Sequence, residues 1–138
     1  MFEVALLGMN KISLTIFFIV IIAIIGFLFF QEKNKNQQLI EMILKAIENR
    51  IVFFYGDGCP HCAKVEEFFK ENDVESKIQF DKKEIYNDKP NAQLLFLIAQ
   101  RKCNLSGDKI GVPLLWDGSK CFVGDVNIID FFKQKIQS

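Results

Sequence analysis

The sequence lacks a net charge and has very little histidine. Its 138 residues contain 17 lysines and arginines, 17 aspartates and glutamates, and one histidine, His61. Without a basic surplus, electrostatic binding to nucleic acid is disfavoured. A single histidine excludes a Cys-His-His metal set and a second histidine acting as a catalytic base. Four cysteines are too few for a disulfide-dense mini-protein, and a chain that is 50% hydrophobic is not typical of disorder.

What the sequence has in excess is one long apolar segment. Residues 12–30 read ISLTIFFIVIIAIIGFLFF, 19 residues without a charge. At about 1.5 Å per residue, such a helix spans roughly 28 Å, close to the hydrocarbon core of a bilayer. The alternatives are a buried helix of a soluble domain and a cleaved signal peptide, which would have a shorter apolar region that ends in small residues. We therefore predict an N-terminal tail at 1–11 and an uncleaved transmembrane helix at 12–30.

The length and composition of the chain after this helix predict one domain at 39–138. A polar linker at 31–38 is predicted to join the helix to this domain. Removal of residues 1–30 leaves 108 residues with 16 charges of each sign, enough for one core. Periodicity and turn residues predict the order helix, then β-α-β-α-β-β-α. The predicted elements are an amphipathic helix at 39–47, a buried strand at 51–55, a helix from Pro60, a strand marked by Ile78 and Phe80, a helix from Asn87 or Asp88 to about Cys103, a hairpin around Asp117–Gly118, and a last helix capped by Asp125.

The most specific motif is Cys59-Pro60-His61-Cys62, which follows the buried strand and opens a helix. A helix N-terminus presents free N–H groups and a partial positive charge, so it stabilises a thiolate at Cys59. Pro60 suits the first turn because it needs no N–H donor there. His61 adds a second stabiliser or donor. Cys62, one turn along, is placed to resolve a mixed disulfide formed by Cys59.

Other uses of these cysteines are less consistent with the spacing. A zinc site needs a second close pair of ligands, whereas Cys103 and Cys121 are 18 residues apart on different elements. A redox-inactive structural disulfide within the motif is a further alternative. We therefore predict no metal and no bound cofactor beyond the redox-active disulfide.

The segment FFYGDGCPHC, the later GVP, the hairpin and Gly124-Asp125 together resemble the thioredoxin-like superfamily. The resemblance covers roughly residues 50–137 and implies a central four-stranded mixed sheet flanked by helices. The order of elements is most similar to small glutaredoxins, and the C-P-H-C sequence is similar to that of DsbA-type oxidases. The resemblance implies that Cys59 is the exposed nucleophile and Cys62 its buried partner.

The same resemblance assigns roles beyond the cysteine motif. Pro113 matches the cis-proline that faces the active site, and the backbone of Val112 would then pair with an extended substrate peptide. Gly124 and Asp125 partly match a glutathione-binding region, although Asp125 is also a plausible plain helix cap. Many relatives carry a buried acid six residues before the first cysteine. Here that position is Phe53, so proton transfer from Cys62 is expected to depend on water or His61.

Cys103 and Cys121 form a second pair if the fold is as predicted. Among the three pairings of four cysteines, 59–62 with 103–121 is the one consistent with the motif. Such a bridge contributes roughly 3 kcal/mol by chain-entropy estimates; two buried free thiols are the alternative. A structural disulfide indicates an oxidising compartment. The basic flank after the apolar segment (Lys33, Lys35, Lys45 and Arg50) instead favours a cytoplasmic domain.

These observations predict a membrane-anchored thiol–disulfide oxidoreductase whose domain is extracytoplasmic. Its partners are protein thiols and disulfides, together with a redox partner protein or glutathione. An oxidase or isomerase is favoured over a reductase because a stabilised thiolate makes the disulfide oxidising. The alternatives are a cytoplasmic glutathione-dependent reductase and a non-catalytic module that binds peptides beside Pro113.

Overall fold

The computed structural model describes residues 11–137, and the predicted tail at 1–11 lies almost wholly outside them. The chain divides into two units, one ending at Ile43 and the other beginning at Leu44. Of the described residues, the first unit contains most of helix α1, Lys11–Ala46. By length and composition, this helix could cross a membrane or belong to a signal sequence.

The segment predicted as a linker, 31–38, differs from that expectation because it is helical and continuous with the segments on either side. Its residues QEKNKNQQ include no glycine or proline, and glutamine, glutamate and lysine are good helix formers. The apolar segment and the predicted amphipathic helix are therefore one helix of 36 residues.

The second unit is built around a sheet with strand order β2-β1-β3-β4. The strands are β1 (Val52–Tyr55), β2 (Asp81–Glu84), β3 (Leu114–Trp116) and β4 (Cys121–Val123). Strand β1 is parallel to β2 and antiparallel to β3, and β3 and β4 form the predicted hairpin. The helices of this unit are α2 (Pro60–Glu71), α3 (Val74–Lys77), α4 (Lys89–Arg101) and α5 (Asp125–Gln137), with a 3-10 turn at Gly107–Lys109.

Phenylalanine dominates the core on one face of this sheet. Phe53 of β1 and Phe69 of α2 pack edge to face, and Phe69 contacts Phe132 of α5 in the same way. Because side chains alternate along a strand, Val52 and Phe54 point to the opposite face. This arrangement of a four-stranded mixed sheet flanked by helices is the predicted thioredoxin-like fold, which is confirmed.

The hairpin also holds the chain that enters the second unit. The buried Trp116 donates a hydrogen bond from Nε1 to the carbonyl of Ile47, at 2.9 Å. At the hairpin turn, Gly118 has φ +97°, and a Cβ there would lie 2.7 Å from the carbonyl oxygen of Glu48. Residue 118 therefore needs glycine for both its conformation and this close approach.

The position predicted for the second strand is wrong. Ile78 and Phe80 precede β2, which begins at Asp81, where the backbone N–H donates to the carbonyl of Ile51 at 2.9 Å. Both side chains pack against the hydrophobic core without joining the ladder. Their alternation reflects burial of a connecting segment, while the strand itself has the polar sequence DKKE.

Candidate active site

Cys59 lies at the end of the turn that connects β1 to α2. Its N–H donates to the carbonyl of Gly56 at 3.1 Å, which closes the turn, and its own carbonyl accepts from Ala63 at 3.0 Å. As the N-cap of α2, its Sγ accepts a hydrogen bond from the N–H of Cys62 at 3.3 Å. The sulfur is thus held against the free donors of a helix N-terminus, which favours negative charge on it.

Cys62 occupies a different environment one turn into the helix. Its side chain is 1% exposed, and both motif cysteines are free thiols. Burial, reinforced by the hydrogen bond with the Cys59 side chain, raises the pKa of Cys62 to about 12. The Cys62 thiol therefore stays protonated at neutral pH, whereas the half-buried Cys59 is accessible.

The loop before β3 brings Val112 and Pro113 to the same place. The Val112–Pro113 peptide bond is cis. The Cys59 thiol lies 3.8 Å from the carbonyl oxygen of Val112 and donates to it. The carbonyl of Pro113 accepts from the N–H of Gly124 at 3.0 Å. The predicted site residues of the motif and of this loop are therefore adjacent, although they are about 50 residues apart in sequence.

His61 is turned towards Asp125. Its Nδ1 lies 3.0 Å from Oδ1 of Asp125, and Lys64 Nζ lies 3.1 Å from Oδ2. The hydrogen bond from Lys64, with a second from His61, holds the pKa of Asp125 below its usual value despite some desolvation. Helix α5 begins at Asp125. The carboxylate thus joins α5 to α2, and Asp125 is the first residue of α5 rather than the helix cap expected from the sequence.

Glu84 was not predicted as a site residue, yet it organises the turn before Cys59. Its carboxylate accepts from the backbone N–H groups of Asp57, Tyr86 and Asn87 at 3.2, 2.7 and 2.8 Å. Desolvation would raise the pKa of Glu84, but these backbone donors lower it overall. A carboxylate that accepts from backbone across two loops leaves no local pattern in the sequence.

The Tyr86 ring packs against the same turn. A Cβ on Gly56 would lie 2.5 Å from the Tyr86 ring, so the ring packs directly on the glycine backbone. The carbonyl of Gly56 is the acceptor for the N–H of Cys59. Glycine at 56 is therefore needed for this contact. The sequence signal was present in Gly56-Asp57-Gly58, but its partner Tyr86 could not be identified from spacing.

Cys103 and Cys121 are bonded to each other, with their Cα atoms 5.6 Å apart. Cys121 pairs with Trp116, at the end of β3 away from Pro113. The second cysteine pair thus lies apart from the motif and joins the segment after α4 to β4. Among residues 11–137, no group of three or more histidine, cysteine or acidic side chains is placed to hold a metal ion.

No family model matches the chain, and no curated protein matches it. Among solved structures, a buckwheat glutaredoxin–glutathione complex has 16% identity and a TM-score of 0.47, covering 72% of this chain and 88% of that one. Glutaredoxin 1 from Francisella tularensis, complexed with cacodylate, has 20% identity and a TM-score of 0.45, covering 64% and 98%. A mutated buckwheat glutaredoxin has 14% identity and a TM-score of 0.46, covering 72% and 94%.

Proposed function

We propose that this protein exchanges thiols and disulfides through Cys59 and Cys62. The observation that carries the proposal is the pairing of two unlike thiols at one helix start. Cys59 Sγ is half-buried and accepts the N–H of Cys62 at 3.3 Å, whereas the Cys62 thiol is buried beneath it. Such a helix terminus lowers the free energy of a thiolate, the form that attacks disulfides.

The reaction proceeds in two exchanges. The Cys59 thiolate attacks one sulfur of a substrate disulfide, a mixed disulfide forms, and the other substrate sulfur leaves as a thiolate. Cys62 then loses its proton and attacks Cys59 Sγ, which forms the Cys59–Cys62 disulfide and releases the second substrate thiolate. The substrate disulfide is reduced and the cysteine pair is oxidised. An oxidase runs the same steps in reverse.

Substrate peptides are proposed to bind beside Val112 and Pro113. The Val112 carbonyl already lies within reach of the Cys59 thiol, at 3.8 Å. An extended peptide paired with this backbone would present its own cysteine to Cys59, in the manner of strand addition. Protein thiols are therefore the proposed substrates. Gly124 and Asp125 would contribute to a glutathione site only in the reductase alternative.

The preferred direction is that of an oxidase or isomerase. Donation from the helix N-terminus to Cys59 stabilises the reduced form and so makes the disulfide oxidising. A reduction potential of about −120 mV for the Cys59–Cys62 pair supports this direction, whereas a value of about −270 mV supports a reductase. Equilibration of the full chain with glutathione buffers of known ratio measures it.

Residues 12–30 are proposed to anchor the domain at 39–138 to a membrane, on the extracytoplasmic side. The bonded Cys103 and Cys121 support this side, because such bonds persist in oxidising compartments. Intact cells are reduced with a permeant agent and treated with an impermeant thiol reagent. Labelling before lysis is expected, and protection until lysis overturns this orientation.

Two variants test the exchange itself, with the full chain in detergent. Cys59→Ser is expected to reduce the exchange rate to the uncatalysed background. Cys62→Ser should retain attack by Cys59 but accumulate mixed disulfides, which mass spectrometry detects and which identify the substrates. Full exchange activity in Cys59→Ser contradicts the proposal. Peptide binding in an inactive wild-type chain would support a binding module instead.

A further inference from the structure

The resolving step requires an acceptor for the proton of Cys62. Its thiol is buried and, with its raised pKa, carries a proton at neutral pH. That proton must leave before the sulfur can attack a mixed disulfide at Cys59, because the thiolate is the nucleophile. Position 53, on the strand beneath α2, is a phenylalanine, so the sheet offers no acid at that point.

The polar groups nearest in the sequence face solvent, because the His61 side chain is 62% exposed and Asp57 is exposed as well. His61 Nδ1 lies 3.0 Å from Asp125. The carboxylate of Asp57 accepts from the Asn87 side chain at 3.3 Å, in the exposed turn before the motif. Among the described residues, no polar or charged side chain is fully buried. A proton acceptor for Cys62 must therefore be sought among half-buried groups.

Glu66 is such a group, one helical turn beyond Cys62. Residues four apart lie on the same face of a helix, about 5–6 Å apart at Cβ. The Glu66 side chain is 33% exposed, and its Oε1 lies 2.9 Å from Nζ of Lys82 on β2. This contact directs the carboxylate towards β2, and Cys62 lies one turn earlier on the same face of α2.

Lys82 is itself fixed from several directions. Its Nζ lies 3.1 Å from Glu75 and 5.5 Å from the centre of the Tyr55 ring, which stacks on Phe53. Burial would lower the pKa of Lys82, but its hydrogen bonds with Glu66 and Glu75 raise it overall. Lys82 therefore remains charged and holds the Glu66 carboxylate through their ion pair.

We propose that the Glu66 carboxylate accepts the proton of the Cys62 thiol during resolution, and that Lys82 is its positioning residue. The inference rests on the proposed function and deepens it. Burial is the main cause of the raised pKa of Cys62 and of Tyr55, and the charge of Glu66 adds to both as a smaller cause.

The step balances within the chain and its substrate. The Cys62 S–H bond breaks and the proton passes to a Glu66 oxygen. The Cys62 thiolate forms a bond to Cys59 Sγ, and the bond from Cys59 to the substrate sulfur breaks with release of a substrate thiolate. In the opposite direction, the protonated Glu66 returns its proton to Cys62 as the cysteine disulfide opens.

Several titratable groups share this environment and are kept constant in the test. The elements around Cys62 and Glu66 supply the following groups: Cys59 and Lys64 from the motif and α2, Tyr55 from β1, Lys82 from β2, Glu75 from α3, and Asp125 with its partner His61 at the α5 end.

A two-phase thiol assay separates attack from resolution. The reduced full chain in detergent reacts with the chromogenic disulfide dithiobis-nitrobenzoate. The first released chromophore reports attack by Cys59, and the second reports attack by Cys62 on the mixed disulfide. In Glu66→Gln, the first phase should keep its wild-type rate. The second should slow by about 10²-fold at pH 7, the usual contribution of a general base.

The pH profile distinguishes proton transfer from a structural effect. The deficit of Glu66→Gln should shrink as the pH rises, because hydroxide then removes the Cys62 proton directly. Lys82→Gln should slow the same phase less, and Glu66→Asp should recover part of the rate. The matched control is Glu67→Gln on the exposed side of α2, for which both phases stay at the wild-type rates.

Equal second-phase rates and pH profiles for Glu66→Gln and wild type overturn the inference, as does an equal slowing in Glu67→Gln. If Glu66→Gln does not fold, the variants Glu66→Asp and Lys82→Gln serve as the test. Second-phase rates equal to wild type in both variants would then overturn the inference. Absence of a first phase in the wild-type chain would instead contradict the proposed function.

Discussion

The two cysteine pairs place the same side chain in opposite settings. Cys59 and Cys62 are three residues apart at the start of α2, where backbone donors face one sulfur and the core encloses the other. Cys103 and Cys121 are 18 residues apart and join the segment after α4 to a strand, where they are bonded. The first pair is free.

The difference shows that backbone context determines what a cysteine does. At the helix start, unpaired N–H groups favour a thiolate, and burial one turn later disfavours one. This asymmetry supplies an attacking thiol and a resolving thiol. At the second pair, the bond closes a loop between two elements, and its contribution is to stability. The following predictions test this contrast.

The largest expected difference is between the two free thiols. With a pKa of about 12, the Cys62 thiol is deprotonated in less than about one molecule in a thousand at pH 8. Iodoacetamide should therefore modify Cys59 at pH 8 while leaving Cys62 intact in the folded chain. Peptide mass spectrometry measures the ratio. Comparable modification of both, with no unfolding by circular dichroism, would contradict the asymmetry of the pair.

Removal of the Cys103–Cys121 pair should lower the stability of the fold and leave the rate of thiol–disulfide exchange unchanged. The double variant Cys103→Ala with Cys121→Ala is expected to lose about 3 kcal/mol of unfolding free energy, for a loop of this length. Urea titration measures the loss, and the exchange rate below the transition should match that of wild type. A collapse of exchange activity in a folded double variant would show that the two pairs are not independent.

A smaller effect is expected at Trp116, beside Cys121 in the hairpin. Trp116→Phe removes one of two donors to the carbonyl of Ile47, which still accepts from the N–H of Arg50 at 3.1 Å, and should cost about 0.5–1.5 kcal/mol. The exchange rate should not change. Phe96→Leu, at an exposed position, serves as a control with little loss. An unfolding free energy equal to that of wild type would refute this role.

The smallest effect is a pH dependence near the motif. The folded-state pKa of Asp125 is lowered by Lys64 and His61. The contribution of Asp125 to the unfolding free energy is therefore present above its unfolded-state pKa. It is lost as the pH falls through the lowered folded-state pKa. Asp125→Asn should flatten the decline of the urea midpoint between about pH 5 and pH 3. Asp130→Asn on the same helix is the control. A decline as steep as that of wild type would contradict this role of the carboxylate.

Local chemistry made much of the fold and motif predictable. The buried strand before Gly56, the helix from Pro60 and the hairpin around Asp117–Gly118 each carry turn or periodic signals that neighbouring residues reinforce. The bond between Cys103 and Cys121 also agrees with the pairing expected from the motif, whereas Cys59 and Cys62 are free thiols. These features depend on residues close together in sequence.

Long-range contacts could not be predicted from the sequence because no local rule encodes them. Lys64 binds Asp125 of another helix, and Glu84 accepts backbone donors from two loops. The alternation of Ile78 with Phe80 resembles a strand, although β2 begins just after it, and the helix through 31–38 contains no break. Packing, rather than local propensity, decides the segment 78–80, whereas the helix at 31–38 follows the local propensity of its residues.

A redox titration with peptide mapping tests the central claim most directly. The full chain in detergent is equilibrated in glutathione buffers of increasing oxidation, quenched with acid and alkylated, and each cysteine is quantified by mass spectrometry. We expect Cys59 and Cys62 to convert together from thiols to a disulfide along one two-electron curve, while Cys103 and Cys121 stay bonded throughout. A Cys59–Cys62 pair that never forms a disulfide, with interconversion confined to Cys103 and Cys121, would contradict the claim.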